Sequence, residues 1–102
     1  MENTEAKIIH GLIKKENRLK AIEIQGFVMM LHAEEKCSET LVTDVDKYIE
    51  MLAILYKKYE GLSVYAIQRK KNPIEKKDFV RFVEFHVELH TLLDAAKEKM
   101  GS

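Results

Sequence analysis

Apolar residues recur along this chain at steps of three and four, the period at which a helix presents the same face. The pattern is cleanest in the middle, where Leu41, Val45, Tyr48, Leu52, Leu55, Tyr59, Leu62 and Ala66 follow one another without a break. It predicts a helix over 41–70 with a coiled-coil-like seam. Gly61 falls inside it at a cost of about 1 kcal/mol relative to alanine, and the seam on either side predicts that the helix runs through. Ser38, Thr40 and Thr43 are candidate caps, and Thr43 followed by Asp46 resembles a capping box. The end is expected at "RKKNP", because a residue before proline is driven out of helical geometry.

Phe79, Phe82, His86, Leu89, Leu93, Ala96 and Met100 form a second stripe. They predict a helix over 73–100, opened by Asn72 as N-cap with Pro73 at the first position. The N-terminal third carries Ile8, Leu12, Leu19, Ile22, Met29 and Ala33 at the same rhythm, with Lys15 and Gly26 at two seam positions. A helix over 4–35 is expected there, weakest near Lys15–Asn17. Three long helices with short connections give an all-α fold, an antiparallel up-down-up bundle, with 1–102 as a single domain. In "FVMML" and "YIEMLAILY", however, apolar residues cover more of the helix than one stripe requires. Phe27, Met30, Leu31, Met51, Ile54 and Tyr56 are therefore expected at a second, covered surface, and a homodimer is the simplest cover.

Composition narrows the class. A chain of 102 residues buries roughly two-thirds of its unfolded surface, enough for a core without metal or disulfide. Hydrophobic residues make up 46% and charged residues 33%, with a single proline, which sets the chain apart from disordered sequences. Seventeen basic residues balance seventeen acidic ones, so no global field draws it to nucleic acid or to an anionic membrane. Cys37 has no second cysteine to pair with, no cationic-then-apolar leader opens the chain, and the densest apolar runs fall far below the ~20 residues that span a bilayer. A cytoplasmic protein without a membrane span is expected. There is no Gly-rich phosphate loop, G-x-S-x-G, C-x-x-C or H-E-x-x-H, and no paired acidic motif of a helical nucleotide pyrophosphohydrolase. No cofactor is expected. What remains is a non-enzymatic helical module that binds itself and another protein: a regulator, an adaptor or an immunity or inhibitor-type protein.

One stretch tests that reading. "RFVEFHVELHTLLD", residues 81–94, places His86 and His90 four apart with Asp94 continuing the face. That is the spacing at which a helix offers two imidazoles to one zinc ion, and a further ligand would have to come from His10, His32 or Cys37. The competing reading makes His86 a core residue on the stripe of Phe82, Leu89 and Leu93, paired through a ring nitrogen, with His90 a half-exposed neighbour; leucine at 86 would then be tolerated. Arg81 followed by His86 also looks like the R-x4-H signature of the HEPN ribonucleases, helical proteins that build a composite site across a dimer. The resemblance implies an arginine stabilising phosphate charge beside a histidine acting as general acid or base. It covers six residues, and Phe82 stands where that family usually has a polar residue.

The local cationic cluster is "RKKNPIEKK", with Arg69, Lys70, Lys71, Lys76 and Lys77 against Glu75. Such a patch attracts phosphates, but no aromatic interrupts it for base stacking, and cations at a helix C-terminus also complement its dipole. A solvated turn is the simpler reading. Tyr48, Tyr56, Tyr59 and Tyr65 line the middle helix, where core or interface is the ordinary role of a tyrosine.

Overall fold

The computed structural model describes residues 3–100, and of Met100 the backbone alone. Those residues form five helices and no strand: α1 (Asn3–Leu12), α2 (Lys15–Ala33), α3 (Glu39–Tyr59), α4 (Val64–Gln68) and α5 (Lys76–Met100). The expected all-helical class holds, but each of the three long helices predicted differs at an end or a joint.

The first is divided at Ile13 and Lys14, just upstream of the weak stretch foreseen at Lys15–Asn17. Asn17 turns back across the joint, its side-chain amide donating to the carbonyl of Leu12 at 2.9 Å. This satisfies one of the carbonyls left free where α1 stops. The division lets the adjacent Leu12 and Ile13 both be buried. The second helix does not run through Gly61. It stops at Tyr59, and the chain makes a tight turn in which the amide of Leu62 donates to Tyr59 at 3.0 Å and Gly61 takes φ 75°. That is the third position of a type II turn, which demands a positive φ and hence favours glycine. Ser63 then caps the short α4 by accepting from the amide of Ala66. Beyond the turn the fully buried residue is Ile67, one position past the Ala66 that the seam predicted, and Leu62 and Ala66 are half-buried.

At the start of α3 the cap is Ser38, which accepts from the amide of Leu41 at 3.2 Å. Thr43 lies inside the helix and bonds the carbonyl of Glu39. Asn72 and Pro73 do not open α5. Asn72 accepts from the amide of Ile74 as a cap would, but its amide group is tied to Glu5 of α1 and Ile74 turns inward, so the helix begins at Lys76 with Phe79 donating to Glu75. The C-terminus of α2 ends with Glu35 at φ 60° and the amide of Lys36 donating to Leu31 at 2.8 Å. This is a Schellman ending with glutamate where glycine is preferred.

Packing follows from these ends. α2 packs on α3, α5 lies against both, and α1 packs chiefly on α4 and also on α3. One core joins them, built from Ala6, Ile9 and Leu12 of α1, Ala21, Ile24 and Val28 of α2, Val45, Tyr48, Leu52, Leu55 and Tyr59 of α3, Ile67 of α4, and Phe79, Phe82, Leu89 and Leu93 of α5. The stripes read for α3 and α5 are thus the buried ones. Of the stripe read over α1 and α2, Leu12 is buried as expected, but Ile8, Leu19, Ile22, Met29 and Ala33 lie at the surface, and the buried stripe of α2 is a different one. At ~100° per residue, Leu19, Ile22, Met29 and Ala33 fall on the side of α2 opposite Ala21, Ile24 and Val28. α2 therefore carries two apolar stripes back to back. The N-terminal half of α2 is stitched to the end of α5 by ion pairs, Lys20 to Asp94 at 3.4 Å and Lys97 to Glu23 at 2.7 Å. These pairs are half-exposed, so each contributes on the order of 0.5 kcal/mol.

Candidate functional site

Two features stand out from the packing: the histidine pair of α5 with Tyr48, and the outer stripe of α2. On α5 the core stripe brings His86 against α3, where its Nδ1 lies 2.6 Å from the hydroxyl of Tyr48. Tyr48 is 2% exposed and stacks on Phe82, with ring centroids 5.0 Å apart. Burial pushes its hydroxyl up to about 12, so the phenol is neutral at ordinary pH. His86 is pushed down to about 4, by burial first and then by the neighbouring His90 and Lys20. With both groups neutral and the hydroxyl given no other partner, the phenol donates to Nδ1 and the ring proton sits on Nε2. His90 packs on His86 with ring centroids 4.0 Å apart, and is also held below the usual histidine range by burial and Lys20, against an opposing pull from Asp94. Its Nε2 is buried and no group in the structure satisfies it.

That arrangement gives the residues of "RFVEFHVELHTLLD" separate surroundings. The carboxylate of Asp94 is committed to Lys20, and among the described residues no three His, Cys, Asp or Glu side chains gather as a metal would require. Arg81 is exposed and lines an open groove of about 540 Å³ between α3 and α5, together with Asp44, Lys47, Tyr48, Met51, Asp78, Glu84 and Glu88. His86 does not line that groove. Residues five apart on a helix are turned ~140° from each other, so the helix itself separates the arginine of the R-x4-H pair from its histidine. The groove has four acids against two cations, the wrong balance for a phosphate.

No protein-family model matches the chain, and no curated protein or solved structure matches it either. Any role must therefore be argued from its own surfaces.

The cationic residues Arg69, Lys70, Lys71, Lys76 and Lys77 are all exposed, on the link from α4 into α5. The carbonyl of Lys71 is fixed by Tyr59 and by Lys58, so the backbone of this link is ordered by the core beneath it. Tyr65, 68% exposed, lies one turn before Arg69, whose guanidinium stands 5.5 Å from the ring centroid. An aromatic does therefore stand beside the patch, four residues before Arg69 and held there by the single turn of α4.

Of the six apolar residues expected at a covered surface, Met30 and Ile54 are nearly half exposed. Phe27, Met51 and Tyr56 pack half-buried against the core, and Leu31 is half-buried. Tyr56 is in addition covered by the guanidinium of Arg18 at 4.4 Å from its ring centroid. The largest apolar exposures on α2 belong instead to residues whose spacing marked them as core: Leu19 at 57%, Ile22 at 58% and Met29 at 54%. The signal for them was the second stripe itself. Ala21, Ile24 and Val28 form an equally regular series, and only side-chain size favoured the other one. Among the described residues no helix is long and apolar enough to cross a membrane.

Proposed function

We propose that this chain is a non-enzymatic helical interaction module that associates with itself and with another protein through an apolar helix face. The observation that carries the reading is the outer stripe of α2, where Leu19, Ile22, Met29 and Met30 are each about half exposed on a helix whose opposite face is already buried. Apolar side chains lined up on one exposed face mark an association surface more often than a plain solvated one. The neutral Tyr48–His86 pair supports the same reading from the other side, since a buried tyrosine and a half-buried neutral histidine bonded to each other tie α3 to α5 without offering a charged group to a substrate. The lone cysteine is in keeping with the reducing, cytoplasmic setting of such a module.

Light scattering over a range of concentrations tests the self-association, with the apparent mass expected to rise from the 11.9 kDa of one chain towards twice that value. Affinity capture with the intact chain tests the second partner. A mass that stays at one chain at every concentration, together with no captured protein, would remove the proposal. The alternative, a HEPN-like ribonuclease or a metal protein using Arg81, His86, His90 and Asp94, finds less support. Arg81 and His86 occupy different sides of α5, and Nδ1 of His86 is already bonded to Tyr48. Elemental analysis and an RNA degradation assay on wild type and His86→Ala would revive it if either were positive.

A further inference from the structure

We infer that two copies of this chain associate by packing their α2 helices antiparallel along the outer stripe, crossing at Gly26. The inference rests on the self-association proposed above and specifies its geometry. Three observations carry it.

The first is the stripe itself. Lys15, Leu19, Ile22, Gly26, Met29 and Ala33 repeat at four and three, the spacing of a coiled-coil seam. It extends over the whole of α2, Lys15–Ala33, roughly 27 Å of helix axis at 1.5 Å per residue. The seam faces away from the core that α2 makes with α3 and α5.

The second is the glycine at its centre. Glycine is disfavoured inside a helix, and nothing in this chain asks for one at 26: a Cβ built there would meet no atom within 4 Å. Close approach of another backbone is the ordinary reason for glycine in the middle of an apolar seam. Gly26 is equidistant from Leu19 and Ala33, so a two-fold axis through it sets each Leu19 against Ala33 of the second copy. Large then meets small, and Ile22 meets Met29 and Met30.

The third is charge. The N-terminal end of α2 carries Lys14, Lys15 and Arg18 against Glu16, and the chain leaving its C-terminal end carries Glu34, Glu35 and Glu39 against Lys36. Each end has the sign that its own helix dipole disfavours. In an antiparallel pair the cations of one copy lie beside the acids of the other. In a parallel pair like charges would be set side by side. An isologous two-fold contact makes the same match twice.

A single pair of helices of this length sits at the small end of specific interfaces, so dissociation in the micromolar range is expected.

Cross-linking in a Cys37→Ser background tests the geometry, with the mass of each variant followed by light scattering. Gly26→Cys should form a disulfide-linked dimer under mild oxidation, because a residue on the two-fold axis meets itself and a disulfide needs the two Cα atoms within ~7 Å. Leu19→Cys alone should not, since its copies would lie ~21 Å apart along the pair. Leu19→Cys mixed with Ala33→Cys should link again. Ile22→Glu, at a position open to solvent, should leave the helical signal unchanged and weaken association at least tenfold. Self-linking of Leu19→Cys would show a parallel pair and overturn the inference. A dimer that persists by mass, with no cross-link at 26 and no effect of Ile22→Glu, would place self-association on another face, overturning this inference while leaving the proposed function. A strictly monomeric chain would overturn the inference and the self-association on which it rests.

Discussion

Replacing His86 with leucine would seem harmless from the apolar seam alone, but the bond from Tyr48 changes the expectation. The hydroxyl of Tyr48 is on a residue 2% exposed, and its hydrogen-bond partner among the described residues is Nδ1 of His86 at 2.6 Å. Leucine removes that acceptor and leaves the hydroxyl buried and unpaired, which costs about 1–3 kcal/mol. Against this, an imidazole that was itself desolvated is replaced by an apolar group of similar size, so the net loss should fall near 1.5 kcal/mol. For a domain of this length that corresponds to a fall in Tm of roughly 6–12 °C. Tyr48→Phe alone should cost less, because Nδ1 belongs to a side chain only partly buried and water can reach its surroundings. The double variant, Tyr48→Phe with His86→Leu, removes donor and acceptor together and should return close to wild type. The coupling in the double-mutant cycle is therefore expected at about 2 kcal/mol, with the double variant more stable than the sum of the singles. Urea unfolding followed by far-UV circular dichroism measures all four proteins. If His86→Leu with Tyr48 intact were as stable as wild type, the bond would carry no weight, and the account of His86 as a paired core residue would fail.

The same pair sets a pH dependence. His86 is held at about 4 in the folded chain against 6.5 when exposed, so the unfolded chain binds more protons between those values. Stability is then full above pH 6.5 and falls as pH drops towards 4, by roughly 1–2 kcal/mol once partial exposure is allowed for; urea midpoints of wild type and of the double variant should coincide near neutrality and separate at the acid end, where wild type falls further. Glu35 sits at φ 60° where Schellman endings favour glycine, so Glu35→Gly should stabilise by about 1 kcal/mol, seen as a higher urea midpoint with unchanged slope. Gly61→Ala should do the reverse. A Cβ there meets no atom within 4 Å, but φ is 75°, so the backbone conformation alone should cost about 1–2 kcal/mol in the same assay.

The two stripes that proved buried, on α3 and α5, were legible because each is made mainly of large side chains repeating along the helix, with His86 the one member that is not apolar. Tyr48, Leu52, Leu55, Tyr59, Phe79, Phe82, Leu89 and Leu93 left little choice. On α2 two series compete, and the smaller set, Ala21, Ile24 and Val28, is the one inside. A face packed closely on α3 and α5 has room for small residues, while Leu19, Ile22 and Met29 are left for the outside. Local periodicity cannot rank two such faces; only the position of the neighbouring helices does. Gly61 misled for a related reason. The residues beyond it continue the spacing because α4 must also bury a face, and nothing in that spacing records that the chain turned in between. Tyr48 as the partner of His86 was beyond reach as well, since the residues lie 38 apart in sequence and meet through the packing of α3 on α5.

The packing of α1 bears on how the chain acquires its shape. α1 rests chiefly on α4, and Glu5 is tied to Asn72 across 67 residues of sequence. α2 and α3, by contrast, are joined by a short turn. Closing a long loop costs more entropy than closing a short one, so the α2–α3 hairpin is expected to form early and α1 to dock late. During synthesis α1 lacks the larger part of its packing surface until the residues of α4 have followed it. Until then the faces of Ala6, Ile9 and Leu12 stay open to solvent, and a nascent chain paused before residue 64 would display them to whatever chaperone is near.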